Sequence, residues 1–548
     1  MSARSRYAVR RPADGATGRA KHVETVNAQE EEVTDTGTPI APVSTCMRRA
    51  FRAWPLAMLS LCSAVAPCAV AAEGGRARLL LSEAALEHAV QRGEVLGRGE
   101  RLYASRSGQA GRDGTGGQLA VGNSKSYALP ALEIIAFQFL LNRFDNRFVG
   151  PEYDVSASSI RRNLRSSWVV DRDPFEINQF GHPYQGTVYF GLARSAGLNF
   201  WESFGYTFAG SALWEIAGET TLPSRNDQIT TSFAGTFFGE SLFRMANLVL
   251  ERGNGLSPRW RELMAAAVSP PTAFNRAAFP GRFGQVFASK NPATFMRLQL
   301  GGSGTLRSAA GASTALKRNE AVVDFALDYG LPGKDGYDYT RPFDYFNFQA
   351  RASSARGLES VNNRGLVLGA AYEAGPHYRG IWGLYGSFDY LAPQVFRLSS
   401  TALSLGTTGQ WQLSDAVVAQ GTAMAGAGFT STGTIRGSAD REYNYGFAPQ
   451  ALLALRLIFG EAIAIDVTAR NYFAGRIADG DTEGRDRVLR ADASLTMRVH
   501  GRHAVALKYV SSRRNSSFPE TGERSQRRDT LGLYYTLLGA DKLGAVRW

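Results

Sequence analysis

Cysteine is nearly missing from this chain: Cys46, Cys62 and Cys68 are the whole complement in 548 residues. All three precede the point where an export signal is predicted to be cut. The remainder therefore has no disulfide framework and no thiolate metal site. Histidine is scarce too, at six residues, and none stands in a His-x-x-x-His spacing, which argues against zinc. No helical run reaches the roughly 20 apolar residues that a bilayer-crossing helix requires. A Gly-x-Ser-x-Gly nucleophile elbow is absent. Clustered positive charge is absent as well. Residues 1–72 hold nine basic and six acidic groups, which leaves 52 basic against 43 acidic groups scattered over the rest. That distribution excludes a nucleic-acid footprint.

What is present begins with an address. Residues 1–46 are polar and without period, and read as disordered or as a mis-assigned start. From Met47, MRRAFRAW supplies a basic flank, PLAMLSLCSAVAPCAVAA an apolar run, and Ala69-Val70-Ala71 a small-x-small exit. A cleaved signal peptide is predicted at 47–72, with the natural start at Met47. Export without cysteine asks for another source of robustness, and a closed β-barrel is one.

Residues 73–125 read as a helix (RARLLLSEAALEHAVQ) followed by a Gly-rich linker. Residues 126–290 read as a helical domain. PALEIIAFQFLLNRF begins at Pro130 and is apolar nearly all round. Residues 184–220 read as two helices parted near Gly197-Leu198-Asn199. On the second, Thr207, Ser211, Glu215 and Glu219 share one face at i, i+4, i+8 and i+12. Ser224 and Asp227 have capping-box spacing and open a helix that runs to about Glu251. Gly235 and Gly239 form a small-xxx-small pattern that lets another backbone approach.

From about Thr294 the period changes to two. AVVDFALDY at 321–329 and YFNFQARA at 345–352 alternate apolar and aromatic residues with Asp, Asn, Gln and Arg. Segments near 362–373, 382–390, 396–410, 415–429, 444–458, 462–473, 488–499, 503–510 and 529–538 repeat the theme. GLPGKDGYDYTRP and RRNSSFPETGERSQRR read as loops, and His500 and His503 flank a turn. A polar face opposite an aromatic-rich face is the pattern of a barrel in lipid, with Phe325 outward and Asp324 in the lumen. The expected fold is α+β: an N-terminal helical domain, plugging the lumen or lying in the periplasm, then an antiparallel transmembrane barrel of about 12 strands at 294–548. The expected location is the outer membrane of a Gram-negative bacterium. The expected partners are outer-membrane lipid and the barrel-assembly machinery.

Carboxylates in the apolar stretch GSALWEIAGETTLPSRNDQITTSFAGTFFGE at 210–240 raise three readings. The first is a satisfied buried network, with Arg194, Arg225, Arg244 and Arg276 as partners of the acids and Glu240 paired to Arg244 at i, i+4. Here His182 is a structural histidine in an extended position before Pro183. The second is a catalytic site in a membrane-embedded hydrolase: His182 as general base or acid, oriented by Glu215 or Asp227. The third is a hard divalent cation held by His182, Glu215, Glu219 and Asp227. Otherwise no cofactor is expected. An envelope structural or transport role goes with the first reading, and the sequence leaves open whether the protein is an enzyme.

The segment from Trp168 to Arg282 resembles a bacterial outer-membrane family, domain of unknown function 3943. The likeness is carried by HPYQG, FW-S, WE and PS-ND, which fall in order within 168–244, and by FNR at 274–276. It implies an outer-membrane location and no established activity. A second likeness runs through His182, Tyr189, Glu215 or Glu219, Ser224, Asp227, Gly235 and Gly239. That order is similar to VanZ-like membrane proteins, although Gln179-Phe180 stands where those have an Asp-Lys pair.

Overall fold

The computed structural model describes residues 125–548 apart from 172, 254, 310–315, 435–442, 476–483, 520–521 and 541. The signal peptide, the first linker and the N-terminal stretch lie outside the described residues. Helices come first: α1 (Ala128–Phe148), α2 (Ala157–Asn163), α3 (His182–Ser195), α4 (Phe200–Ala217), α5 (Arg225–Ile229), α6 (Gly235–Arg252), α7 (Pro258–Val268), α8 (Pro270–Ala278) and α9 (Pro280–Phe283). The break between α3 and α4 falls at Gly197, whose φ of 89° suits glycine. Asn199 and Glu202 then start α4 with a reciprocal capping box. A π-helical turn at Thr230–Ala234 joins α5 to α6.

Twelve antiparallel strands follow and close on themselves, β1 pairing with β12. They are β1 (Thr294–Ala309), β2 (Asn319–Tyr329), β3 (Phe346–Ser353), β4 (Ser360–Glu373), β5 (Tyr378–Leu391), β6 (Phe396–Gln412), β7 (Val417–Thr434), β8 (Tyr443–Phe459), β9 (Ile463–Gly475), β10 (Arg485–His500), β11 (His503–Phe518) and β12 (Gly522–Leu538). The expected twelve-stranded barrel is therefore present. One expected loop is not: most of 513–528 is β11 and β12, because its charged residues alternate into buried pairs such as Arg514 with Asp486.

Pairs that cross the barrel identify its lumen. Arg456 on β8 reaches Asp328 on β2 at 3.3 Å, and Arg297 on β1 reaches Asp466 on β9 at 3.0 Å. Asp328, Asn347, Arg364 and Ser387 share one row across β2 to β5 and so face inward. The opposite face carries Val323, Leu405, Phe447, Leu453, Val467, Leu507 and Leu533, all exposed. Charge inside and hydrocarbon outside is the arrangement of a barrel in lipid.

The ends are unequal. Turns at 374–377, 413–416, 460–462 and 501–502 mark one end, the turn rim, and segments 354–359 and 392–395 belong to the other, the loop rim. The described residues of 539–548 form no strand. They fold over the lumen at the turn rim, where Leu543 packs with Phe295, Leu331 and Ile458. At the loop rim, Gln526 donates to the Val395 carbonyl and Gln394 to Glu320 at 3.0 Å. Both mouths are covered.

The helices neither fill the lumen nor stand clear of the barrel. Phe238 stacks on Phe348 at 6.1 Å and meets Phe388 at 5.7 Å, while Ser241 bonds Asn363 at 2.7 Å. Leu327, Phe348, Asn363 and Phe388 are one outward-facing row. The helical module therefore packs on the outer wall of β2–β5, and Phe325, half-buried, lies at the edge of that contact against Phe348. Gly386 permits the approach, since a Cβ there would stand 2.6 Å from the Phe237 ring. Within the module, α3 and α6 meet backbone to backbone: a Cβ on Gly235 would lie 2.6 Å from the Gly186 Cα.

The module runs the height of the wall. At the turn rim Arg244 pairs with Asp344 at 3.0 Å, and at the loop rim Arg356 pairs with Glu176 at 3.0 Å. Its far side shows Leu132, Ile135 and Phe139 on α1 and Trp201, Phe208 and Leu213 on α4, all exposed. Among the described residues no helix is long and apolar enough to cross a membrane.

Candidate functional site

The end of α4, the start of α5 and the start of α3 converge at the loop rim, beside the first residues of β8. The Ser224 side chain caps α5 by accepting from the Asp227 amide at 3.2 Å. The Ser224 amide donates to Glu215 Oε2 at 2.8 Å. Asn226 links the set to the barrel, donating to Asp227 Oδ1 at 3.1 Å and to the Tyr445 hydroxyl at 2.9 Å. Asn178 does likewise, donating to Asp171 Oδ2 at 2.7 Å and to the Tyr443 hydroxyl at 3.0 Å.

Glu215 and Asp227 are buried, and among the described residues no Arg or Lys pairs with either, or with Glu219. Burial, then Glu219 and Asp227, push the Glu215 carboxyl well above the usual carboxylate range. Burial and Asp171 do the same to Asp227. Burial raises Glu219 to about 7, with nearby His182 pulling the other way. Like charges brought together out of water favour the protonated acids. In that form the cluster donates and accepts hydrogen bonds and carries little charge.

The predicted residues are thus partly brought together. Glu219 does not continue the Glu215 face, because α4 ends at Ala217; its carboxylate turns back to accept from Trp214 Nε1 at 2.6 Å and from Thr221 at 2.9 Å. His182 is not extended. It is the first residue of α3 at φ −60° and ψ −46°. The π-helical turn Ile177–Gly181 widens the backbone just before it, which makes room for the Pro183 ring. His182 is buried, its Nδ1 has no hydrogen-bond partner, and it makes no hydrogen bond to Glu215 or Asp227. Among the described residues no three His, Cys, Asp or Glu side chains stand together as metal ligands, so the set His182, Glu215, Glu219 and Asp227 does not assemble as a cation site.

The arginines are committed elsewhere. Arg194 and Arg244 both bind Glu240, each at 2.7 Å, and this triad is fully enclosed. Arg276 pairs with Glu262 at 2.6 Å, and Arg225 donates to the Trp168 carbonyl. Sequence reasoning missed Asp171, Asn178, Asn226, Tyr443 and Tyr445. The Tyr-x-Tyr spacing at 443–445 places both rings on one face of β8, but nothing local says that a helical module covers that face.

A second polar site lies in the lumen. A cavity of about 90 Å³ is bordered by Arg297, Asp328, Arg364, Arg456, Asp466 and Arg470. Gln410 and Gln420 close its turn-rim side, donating to the backbone carbonyls of Val546 and Gly544.

The family model of a domain of unknown function (DUF3943) matches residues 167–271, which hold the acid cluster. None of the matches supports the VanZ-like resemblance. No curated protein matches the sequence. Among solved structures the chain is similar to the KdgM porin (5% identity, 44% of this chain and 98% of that one, TM-score 0.22). It is also similar to the NanC porin (6%, 43% and 98%, 0.23) and to the outer-membrane channel DcaP of Acinetobacter baumannii (9%, 45% and 96%, 0.22). Superpositions at those scores carry no inference about this chain; the barrel rests on its own strand pairing.

Proposed function

We propose that this chain is an outer-membrane protein with an envelope transport role, its lumen a gated conduit for small charged solutes. Outer-membrane lipid surrounds both the barrel and the exposed side of the helical module, and the barrel-assembly machinery inserts it. The observation that carries the reading is the lumen cavity beneath residues 539–548. That cover is held by Gln410 and Gln420, by Leu543 and by Trp548, which donates to the Pro376 carbonyl and lies under Arg379; none of these contacts is a buried ion pair. Planar-bilayer recording of the full-length chain tests it. The wild type should be mostly closed, and a variant that loosens both covers, Gln410→Ala/Gln420→Ala at the turn rim with Gln394→Ala/Gln526→Ala at the loop rim, should show stepwise conductance. Two equally silent proteins would sink the conduit.

A second reading, a membrane-embedded enzyme acting on an envelope lipid, draws on one observation: Glu215 and Asp227 are buried without a cation. His182→Ala and Asp227→Asn would then fold normally in detergent and fail to complement a deletion strain. Full complementation by both would remove that reading.

A further inference from the structure

Four arginines and two aspartates border the lumen cavity. Three of the arginines are neutralised. Arg297 and Arg456 share Asp466 at 3.0 and 2.6 Å, Arg456 also reaches Asp328 at 3.3 Å, and Arg470 pairs with Asp492 at 3.1 Å. Arg364 is left over. It is 8% exposed, its Nε has no hydrogen-bond partner, and it forms no ion pair among the described residues. Asp328 and Asp389 act on it through space without bonding it: Asp328 accepts from Asn347 and Arg456, and Asp389 accepts from Asn362 and Tyr472. Arg364 also borders a second, smaller cavity with Asp389 and Arg470, so its surroundings are hollow on two sides.

A guanidinium taken out of water with no ion pair and with donors left unbonded is costly. Its fixed fork of donors matches the paired oxygens of a carboxylate or phosphate. A cavity of about 90 Å³ has room for a few waters or one small oxyanion. We propose that the lumen cavity is a binding site for a small oxyanion, a carboxylate or phosphate group, held by Arg364 with Arg470 beside it. This rests on the transport reading and names the class of solute the lumen takes.

Thermal unfolding of the full-length protein folded in detergent tests the site, with inorganic phosphate or sodium acetate titrated against chloride at matched ionic strength. The wild type should show a saturable rise in unfolding temperature with one or both probes, and which probe works assigns the class. Arg364→Met should need at least tenfold more of the same probe, and Arg364→Lys should recover part of the effect. Phosphate also stabilises proteins generally by exclusion from their surface, so an equal shift in wild type and Arg364→Met would overturn the proposal, as would no shift at all. If Arg364→Met does not fold, Arg364→Gln serves with the same expectation. Binding is read here without conductance. A silent barrel that binds phosphate would sink the conduit alone, and a conducting barrel with no anion-specific shift would sink this site alone.

Discussion

Glu240 and Glu215 are both buried carboxylates on helices of the same module, and they differ in what lies beside them. Glu240 sits between Arg194 and Arg244, so Glu240→Gln leaves the enclosed Arg194 without a carboxylate and Arg244 with Asp344 alone; denaturant unfolding should show a loss of about 3–5 kcal/mol. Glu215 has no cation and is held protonated by burial and its acidic neighbours. Glutamine mimics that neutral form, so Glu215→Gln should cost less than about 1.5 kcal/mol at pH 7, within the ordinary range for a hydrogen-bonded substitution. Equal losses for the two would contradict the assigned charge states. Glu219 gives the pH dependence. Its folded pKa of about 7 lies above the ordinary 4.5, so the folded state holds the extra proton between those values. Its contribution is complete below about pH 4.5 and is lost as pH rises towards 7. Unfolding temperatures between pH 5 and 8 should therefore fall less steeply in Glu219→Gln than in the wild type. The Glu240–Arg244 pair was legible in the sequence because it is local, at i, i+4. Arg194 and Asp344 complete it from 46 and 100 residues away, and no local pattern announces such partners.

At the scale of elements, the period of two revealed the strands and their number, since apolar residues on the outer face alternate with polar or small ones inside. Segment 513–528 escaped because both of its faces are polar: one meets the crowded lumen and the other is exposed near the rim, so alternation leaves no hydrophobic trace. The same crowding changes the meaning of an inward aspartate. Asp324 is enclosed by Lys508 at 2.7 Å and Arg351 at 3.7 Å. Asp324→Asn should thus lower stability by about 3–5 kcal/mol, where a water-filled lumen would have tolerated it. The outer face has its own test in Leu405, 66% exposed near the middle of β6. In water, Leu405→Arg would change stability by no more than about 0.5 kcal/mol. Against lipid near the midplane it should cost about 2–4 kcal/mol. A folding titration into vesicles separates the two.

At the scale of the whole molecule, the unexpected feature is where the helices sit. Phe346 and Phe348 face outward exactly as Leu405 and Leu533 do, and no pattern within a strand separates a residue that meets lipid from one that meets a helix. The distinction is made by the module, whose Phe237, Phe238 and Ser241 match the row of Phe348, Asn363 and Phe388. The glycine at 386 lets that match close. The consequence is a composite wall: strands on one side, and on the other a helical bundle whose own outer stripe, from Leu132 to Phe139 and from Trp201 to Leu213, is exposed and apolar. On the proposal that lipid meets this stripe, a module with one face satisfied by the barrel can be shorter and more polar inside than a free transmembrane helix. The arrangement predicts that Ser241→Cys and Asn363→Cys, introduced together in a chain with Cys46, Cys62 and Cys68 replaced, will be joined by a short thiol cross-linker in whole cells. Ser241→Cys with Arg364→Cys, one residue along β4 but facing the lumen, will not be joined. Efficient cross-linking of the second pair would move the helices to the other side of the wall.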